Sequence, residues 1–418
     1  MVSATTRLPQ APSAPLDDLA AFLEPLAVHF PRRESRHAME RRLTGLLTEH
    51  PNKNCDAIAQ VAPQTSEQSL QGMLTTMRRD AAALNAQRVA RLQTLPTEGD
   101  GVLMIDDMGF PEQGTASVGV ARQYSGALGK ADNCRITVNL TYAERTVAWP
   151  LTTRLCLPEA WASDPERRAK AQAPDAIVFQ TKAEIARDLA DWAIAQGVPF
   201  AAVVADADYG DQPWFLDQMD RRSLRSVMAV RRDFTVRASL DGPSQRADAL
   251  LAAYPQRAWQ TIGWREGSQG RLRARFLAVR CWRQDDLLRW REGWLIGEAP
   301  ARGQRGDPRW YWSNFPPTTR LTTMVEYAHR RRQVERFHQD AKTLLGWDQH
   351  QGRRWDSFPR HAILEMLAYS FLVWHEWQQR PARGAPGRRA FSPSAGSPPP
   401  IPGGDPSPDS RLAPAPGH

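Results

Sequence analysis

Three acidic positions in this 418-residue chain are spaced as the ligands of a phosphoryl-transfer site would be. Asp106 and Asp107 close the apolar run Val102–Ile105, Asp206 closes Phe200–Ala205, and Glu335 lies in the helical stretch AHRRRQVERFHQDAK. Displacement at a phosphodiester needs in-line attack, a deprotonated nucleophile and stabilised charge on the phosphorus oxygens. Two Mg2+ ions roughly 3.5–4 Å apart supply all three, and carboxylates are their natural ligands. Two Asp on neighbouring strand ends and a Glu from a later helix can converge on such a pair. Singly, each acid reads as readily as a turn residue or helix cap. Side chains alternate along a strand, so only one of Asp106 and Asp107 is expected to face the site.

The helix adds a pattern. Arg331, Glu335 and Lys342 are four and seven residues apart. At about 100° per residue all three share one face. On that face Glu335 would hold metal while Arg331 and Lys342 touch phosphate. The plain alternative is a surface i,i+4 ion pair worth about 0.3–0.5 kcal/mol. Arg122, Gln123, Tyr124 and Lys130 follow the first acids in a Gly-rich stretch, and Arg122 and Lys130 are candidate DNA-backbone contacts. A structured loop between strands is the plain reading there. Trp290, Trp294, Trp310 and Trp312 could offer a stacking surface for an unpaired base, although a β-domain Trp more often fills a core. His338 is expected to face solvent.

These residues need elements to hold them. Residues 1–15 are polar and Pro-rich and are expected to be disordered. Residues 16–98 show helical spacing of apolar residues, with Ser66 as the N-cap of a helix from Glu67 to Met77. Helix, short helix, turn and helix suit either a helix-turn-helix reader or a plain bundle. Residues 99–225 read as α/β: strands at 102–105, 135–142 and 147–155, a helix over 182–196, and a strand at 200–205. Residues 226–320 break into short runs between Gly, Pro and Ser clusters, a β-rich insertion. Residues 321–379 hold two long helices, 322–348 and 357–379. From 380 to 418 the chain is Pro, Gly and Ser with scattered Arg and has no apolar face to bury, so disorder is expected.

Charge is unevenly placed. The net charge is +8, yet residues 1–100 balance, with 11 Arg/Lys and 11 Asp/Glu. Residues 221–320 hold 20 Arg and no Lys against 9 Asp/Glu, a net of +11. Arginine-rich excess of this kind suits a polyanion, because the guanidinium grips phosphate with two donors. It argues against a neutral sugar substrate for paired carboxylates. Four widely spaced cysteines form no CxxC pair and no disulfide framework, which suits a reducing cytoplasm. No run approaches the ~20 apolar residues of a membrane span, and the N-terminus has no signal-peptide pattern.

The motifs resemble those of DDE insertion-sequence transposases. The helix spacing Arg-x3-Glu-x6-Lys is that family's, with Ala328 where the family has Tyr, and Tyr327 one residue early. The first-acid region, IDDMGFPEQGTASVGVARQYSGALGKADNC, is similar to one bacterial subgroup, with Met108 in place of the usual Thr. The second-acid region carries Asp208 where Gly is usual in Ala-Asp-x-Gly-Tyr-Gly. The resemblance covers about residues 20–380. It implies an α/β fold with a ribonuclease-H-like catalytic core interrupted by a β-rich insertion and preceded by an all-α N-terminal domain. The 129 residues from Asp206 to Glu335 leave room for that insertion. It further implies catalysis through two Mg2+ ions (Mn2+ as substitute) held by Asp107, Asp206 and Glu335, with Asp106 the alternative first acid. The implied partners are double-stranded DNA, as terminal inverted repeats and target, and further copies of the chain on that DNA, in the cytoplasm at the nucleoid and without a membrane. A transposase relic that only binds DNA is the rival reading, motivated by Met108, Asp208 and the unusual Pro/Gly-rich tail.

Overall fold

The computed structural model describes residues 10–379, apart from 15, 76–79, 127–128, 146, 268–269 and 351. The tail expected to be disordered, 380–418, lies outside the described residues, as do 1–9. Residues 10–14 depart from the expected disorder. The Ala11 N–H donates to Val61 O at 2.8 Å and Arg41 donates to Pro12 O at 2.7 Å, which ties this stretch to the helices behind it.

The helical N-terminal part comprises α1 (Asp17–Leu23), α2 (Arg33–Leu46), α3 (Cys55–Val61), α4 (Glu67–Thr75) and α5 (Ala81–Ala90). Local chemistry starts several of them. Asn54 caps α3 through Ala57 N at 2.8 Å, Ser66 caps α4 through Ser69 N at 3.2 Å, and Asp80 accepts from Ala82 and Ala83 N–H ahead of α5.

Next come β1 (Val102–Pro111), β2 (Ala121–Ser125), β3 (Lys130–Ala143), β4 (Ala148–Leu155), α6 (Glu159–Ala162), α7 (Pro165–Ala171), α8 (Lys182–Ala195), β5 (Ala202–Ala205), α9 (Ala207–Gly210), α10 (Pro213–Arg221) and β6 (Ser226–Val230). A capping box opens α8: Thr181 accepts from Glu184 N, and Glu184 reaches back to Thr181 N. Then follow β7 (Thr235–Arg237), β8 (Ser244–Arg246), α11 (Ala247–Ala252), β9 (Gln260–Gly267), β10 (Gly270–Gln284), β11 (Trp290–Pro300) and β12 (Arg309–Ser313). The chain closes on α12 (Leu321–Arg330), α13 (Arg332–Leu345) and α14 (Ser357–Gln378).

The described strands form one mixed sheet, ordered β2-β3-β1-β5-β6-β12-β11-β10-β7-β8, with β4 on β3 and β9 on β10. Strands β4, β3 and β1 are antiparallel, while β5 and β6 run parallel to β1. The basic segment therefore extends the same sheet, through antiparallel pairing of β12 with β6. Its first strand, β6, is a parallel neighbour of β5.

The strands β10 and β11 are also longer than the broken runs expected. Glycine there marks close approach instead of a break: a Cβ on Gly293 would strike the Trp312 indole across the sheet. The helix expected over 322–348 is two helices meeting at Arg331.

The parity of β1 assigns its side chains to opposite faces. Leu103 and Ile105 pack with Ile185 and Leu189 of α8 and with Phe215 of α10. Val102 and Met104 pack with Met324 and Val325 of α12. Further along that second face, Met108 and Phe110 join a core with Phe337 and Ala341 of α13, Phe358 and Phe371 of α14, and Phe22 and Leu43 of the N-terminal helices. The N-terminal helices are thus built into the sheet's cover.

Candidate active site

Asp106 and Asp107 do not end their strand, because β1 runs on to Pro111 against β3. What ends is their neighbour. Pairing of β1 with β5 stops at Met104↔Val204, and β5 itself stops at Ala205. Both aspartates therefore border a gap at the strand end, where Asp206 caps the short helix α9 by accepting from Asp208 N at 3.0 Å. One oxygen from each of Asp106, Asp107 and Asp206 lies within 4.8 Å of the others.

The three carboxylates have different partners. Asp106 lies on the face covered by α12 and α13, with Arg331 Nη2 at 3.7 Å and His338 Nδ1 at 3.6 Å. Burial pushes its carboxyl up to about 7, helped by the charges of Asp206 and Asp107 and opposed by Arg331. Asp206 is raised too, by burial first and by the charges of Asp208 and Asp107, against Arg331, whose Nη2 stands 3.5 Å from it. Asp107 points to the other face, buried, and accepts from Lys182 Nζ at the start of α8. Burial pulls the Lys182 ammonium down, but Asp107 and Asp208 hold it above its ordinary value. Asp208 in turn pairs with Arg231 at 2.8 Å. Gly126, in the Gly-rich stretch, borders the same cluster: its Cβ position is 3.5 Å from Asp208 Oδ2 and 4.0 Å from Asp107 Oδ1.

The other expected residues divide. Glu335 is exposed and outside the three-carboxylate group, and its charge is felt by Arg309 of β12. Arg331 reaches the acids themselves. Lys342 is half-buried with its ammonium 5.9 Å above the Phe110 ring, and burial lowers its pKa. Arg122 is exposed on β2, while Lys130 is exposed and paired to Asp132 at 2.8 Å. Among the tryptophans, Trp312 is core and Trp290 lies beneath Arg237 at 4.0 Å. His338 corrects the expectation of a solvent-facing ring. It is nearly buried, its pKa falls to about 3 through burial and the nearby Lys342 and Arg331, and its buried Nε2 has no partner among the described residues.

Lys182 escaped the sequence reading, although it carried a signal. A lysine in the first turn of a helix opposes the helix dipole, so it calls for a nearby carboxylate.

Residues 180–371 match the family described as transposase DDE domain. Over 208 residues the chain is 28% identical to the probable transposase for insertion sequence element IS701 of Microchaete diplosiphon, a match covering 50% of this chain and 52% of that protein. The chain thus spans about half the length of this curated relative. The NurA nuclease of Sulfolobus solfataricus aligns over 59% of this chain and 80% of its own at 8% identity, with a TM-score of 0.28, too distant to inform the fold. Residues 25–271, more than half of the chain, match the family described as DDE superfamily endonuclease, and on that match the chain belongs to this family.

Proposed function

We propose that the protein is an insertion-sequence transposase that binds element ends as a multimer and performs Mg2+-dependent strand cleavage and strand transfer on double-stranded DNA. The observation that carries this is the meeting of Asp106, Asp107 and Asp206 in one gap, beneath a basic helix from more than 120 residues later in the chain. The strand order β4-β3-β1-β5-β6, three antiparallel and then two parallel, supports a ribonuclease-H-like core. The donor set fits a hard divalent cation: carboxylate oxygens in close reach, with a guanidinium standing in as the local positive charge. Asp106 and Asp206 would hold it, with Glu335 as the third ligand and Asp107 as the alternative first acid. A bound Mg2+ pair supplies charge stabilisation at the phosphorus oxygens and acidifies the attacking hydroxyl.

The chain's own residues do the rest. Lys182 fixes Asp107, and through the strand it fixes the lean of Asp106. Arg231 pairs with Asp208 at the border of the cluster. Arg122, Lys130, Arg331 and Lys342 serve the DNA backbone, together with the arginines of 221–320. The test is nicking of an end-bearing duplex with Mg2+, compared with EDTA and with Asp106→Asn, Asp206→Asn and Glu335→Gln. Activity surviving in all three variants would sink the proposal. The position of Glu335, exposed and outside the three-carboxylate group, favours a second reading, a relic that binds DNA without cutting it. Salt-sensitive DNA binding with no Mg2+-dependent nicking would select that reading.

A further inference from the structure

The guanidinium of Arg331 stands where a cation is needed, 3.5 Å from Asp206 and 3.7 Å from Asp106. We propose that Arg331 is a displaceable counter-ion of the acidic site: a divalent cation enters by evicting it, and the evicted guanidinium takes a DNA phosphate. This rests on the reading of the site given above.

The geometry separates this contact from the fixed ion pairs of the molecule. Arg222 grips Asp191 in a two-pronged bond at 2.6 and 2.8 Å, and Arg283 holds Asp217 at 2.6 Å and Asp220 at 2.7 Å. Arg331 sits too far from both carboxylates for a hydrogen bond, and its buried Nε has no partner among the described residues. Proximity of charge holds it, without a matched set of donors and acceptors. The stoichiometry is also short. Lys182 serves Asp107, and among the described residues Arg331 is the one guanidinium paired to both Asp106 and Asp206, with Lys342 acting on Asp106 from farther off. A divalent ion balances two carboxylates, and a monovalent one does not. An exit is open as well. Arg331 lies at the junction of α12 and α13, and its side chain is 31% exposed, so it can swing outward without breaking a helix interior. Once out, its planar fork matches phosphate oxygens.

Metal and DNA should then bind cooperatively, each raising the affinity for the other by the same factor. Mn2+ alone, titrated into the full chain by calorimetry, tests this with and without a 30-base-pair duplex. The Asp106→Asn/Asp206→Asn double variant supplies the background to subtract. Without DNA, Arg331→Gln should bind Mn2+ about fivefold more tightly or better, the lower end of typical coupling. Arg331→Lys, which keeps the charge, should stay near wild type. Duplex should tighten Mn2+ binding to wild type and tighten it far less in Arg331→Gln. Equal or weaker Mn2+ binding by a folded Arg331→Gln overturns the proposal and leaves the metal site standing. Absence of coupling in wild type overturns it without any variant. If neither protein binds Mn2+ above background, the reading of the site falls and takes the counter-ion with it.

Discussion

Two adjacent aspartates of one strand are given different work by the faces they meet. Asp107 is closed off by Lys182, while Asp106 looks across the gap to Asp206 and the α13 helix. Asp106→Asn should therefore cut nicking by on the order of 10²–10³-fold, the scale at which loss of one charge-stabilising group tells, and leave the melting temperature near wild type. Asp107→Asn should instead destabilise the fold by about 1–3 kcal/mol, because it strips a half-buried ammonium of its carboxylate. Thermal melts and nicking assays on the same two proteins decide this. Equal melting temperatures combined with greater loss in Asp107→Asn would reverse the assignment. Alternation along the strand was readable in the sequence. Which neighbours each carboxylate would meet was not, since that depends on which helix covers which side. The choice of Asp107 by family resemblance and the geometric case for Asp106 differ at this point.

Elements were readable where one local signal dominated. The run FAAVVA gave β5, and the periodicity of residues 182–196 gave α8 to within a residue. Signals failed where tertiary contact overrides them. The glycines of β11 look like breaks in one dimension and serve as close-packing points in three. The split at Arg331 has no Pro or Gly to announce it. Gly210 shows how tight the site's own elements are. It ends α9, and a Cβ there would overlap the backbone oxygen of Ala229 in β6. Because backbone cannot step aside cheaply, Gly210→Ala should cost about 1–3 kcal/mol. It should also displace α9 from the cap that Asp206 forms. Chemical denaturation measures the first effect, and loss of Mn2+ binding reports the second. A variant as stable as wild type would mean that β6 yields where we expect it to hold.

Across the whole molecule, buried charge joins the first helices to the last. Arg42 of α2 donates to Glu365 of α14 at 3.2 Å, with His361 Nδ1 3.5 Å from the same oxygen and Lys53 nearby. Burial outweighs these neighbours and raises Glu365 from 4.5 to about 8. A raised carboxyl favours the fold while protonated, so its contribution is complete below about pH 4.5 and fades as pH climbs through about 8. The melting temperature of Glu365→Gln relative to wild type should accordingly improve between pH 5 and pH 8. A difference that stays flat over that range would show that Arg42 keeps the carboxylate charged throughout. The chain beyond Arg380 has no such anchor in its composition. A protein ending there should keep its melting temperature and nicking activity and lose at most some salt-sensitive DNA affinity. A large drop in melting temperature would mean that the tail packs. Order of synthesis is a further consequence of the shared core. Met108 and Phe110, just past the paired aspartates, are covered by Phe337 and Phe358, more than 220 residues downstream. At about 5–20 residues per second the ribosome takes on the order of ten seconds or more to deliver that cover. Until then the emerging strand holds its acids beside bare hydrocarbon, and a nonsense codon near position 330 would spare both aspartate motifs and the basic strands yet yield an inert, sticky fragment.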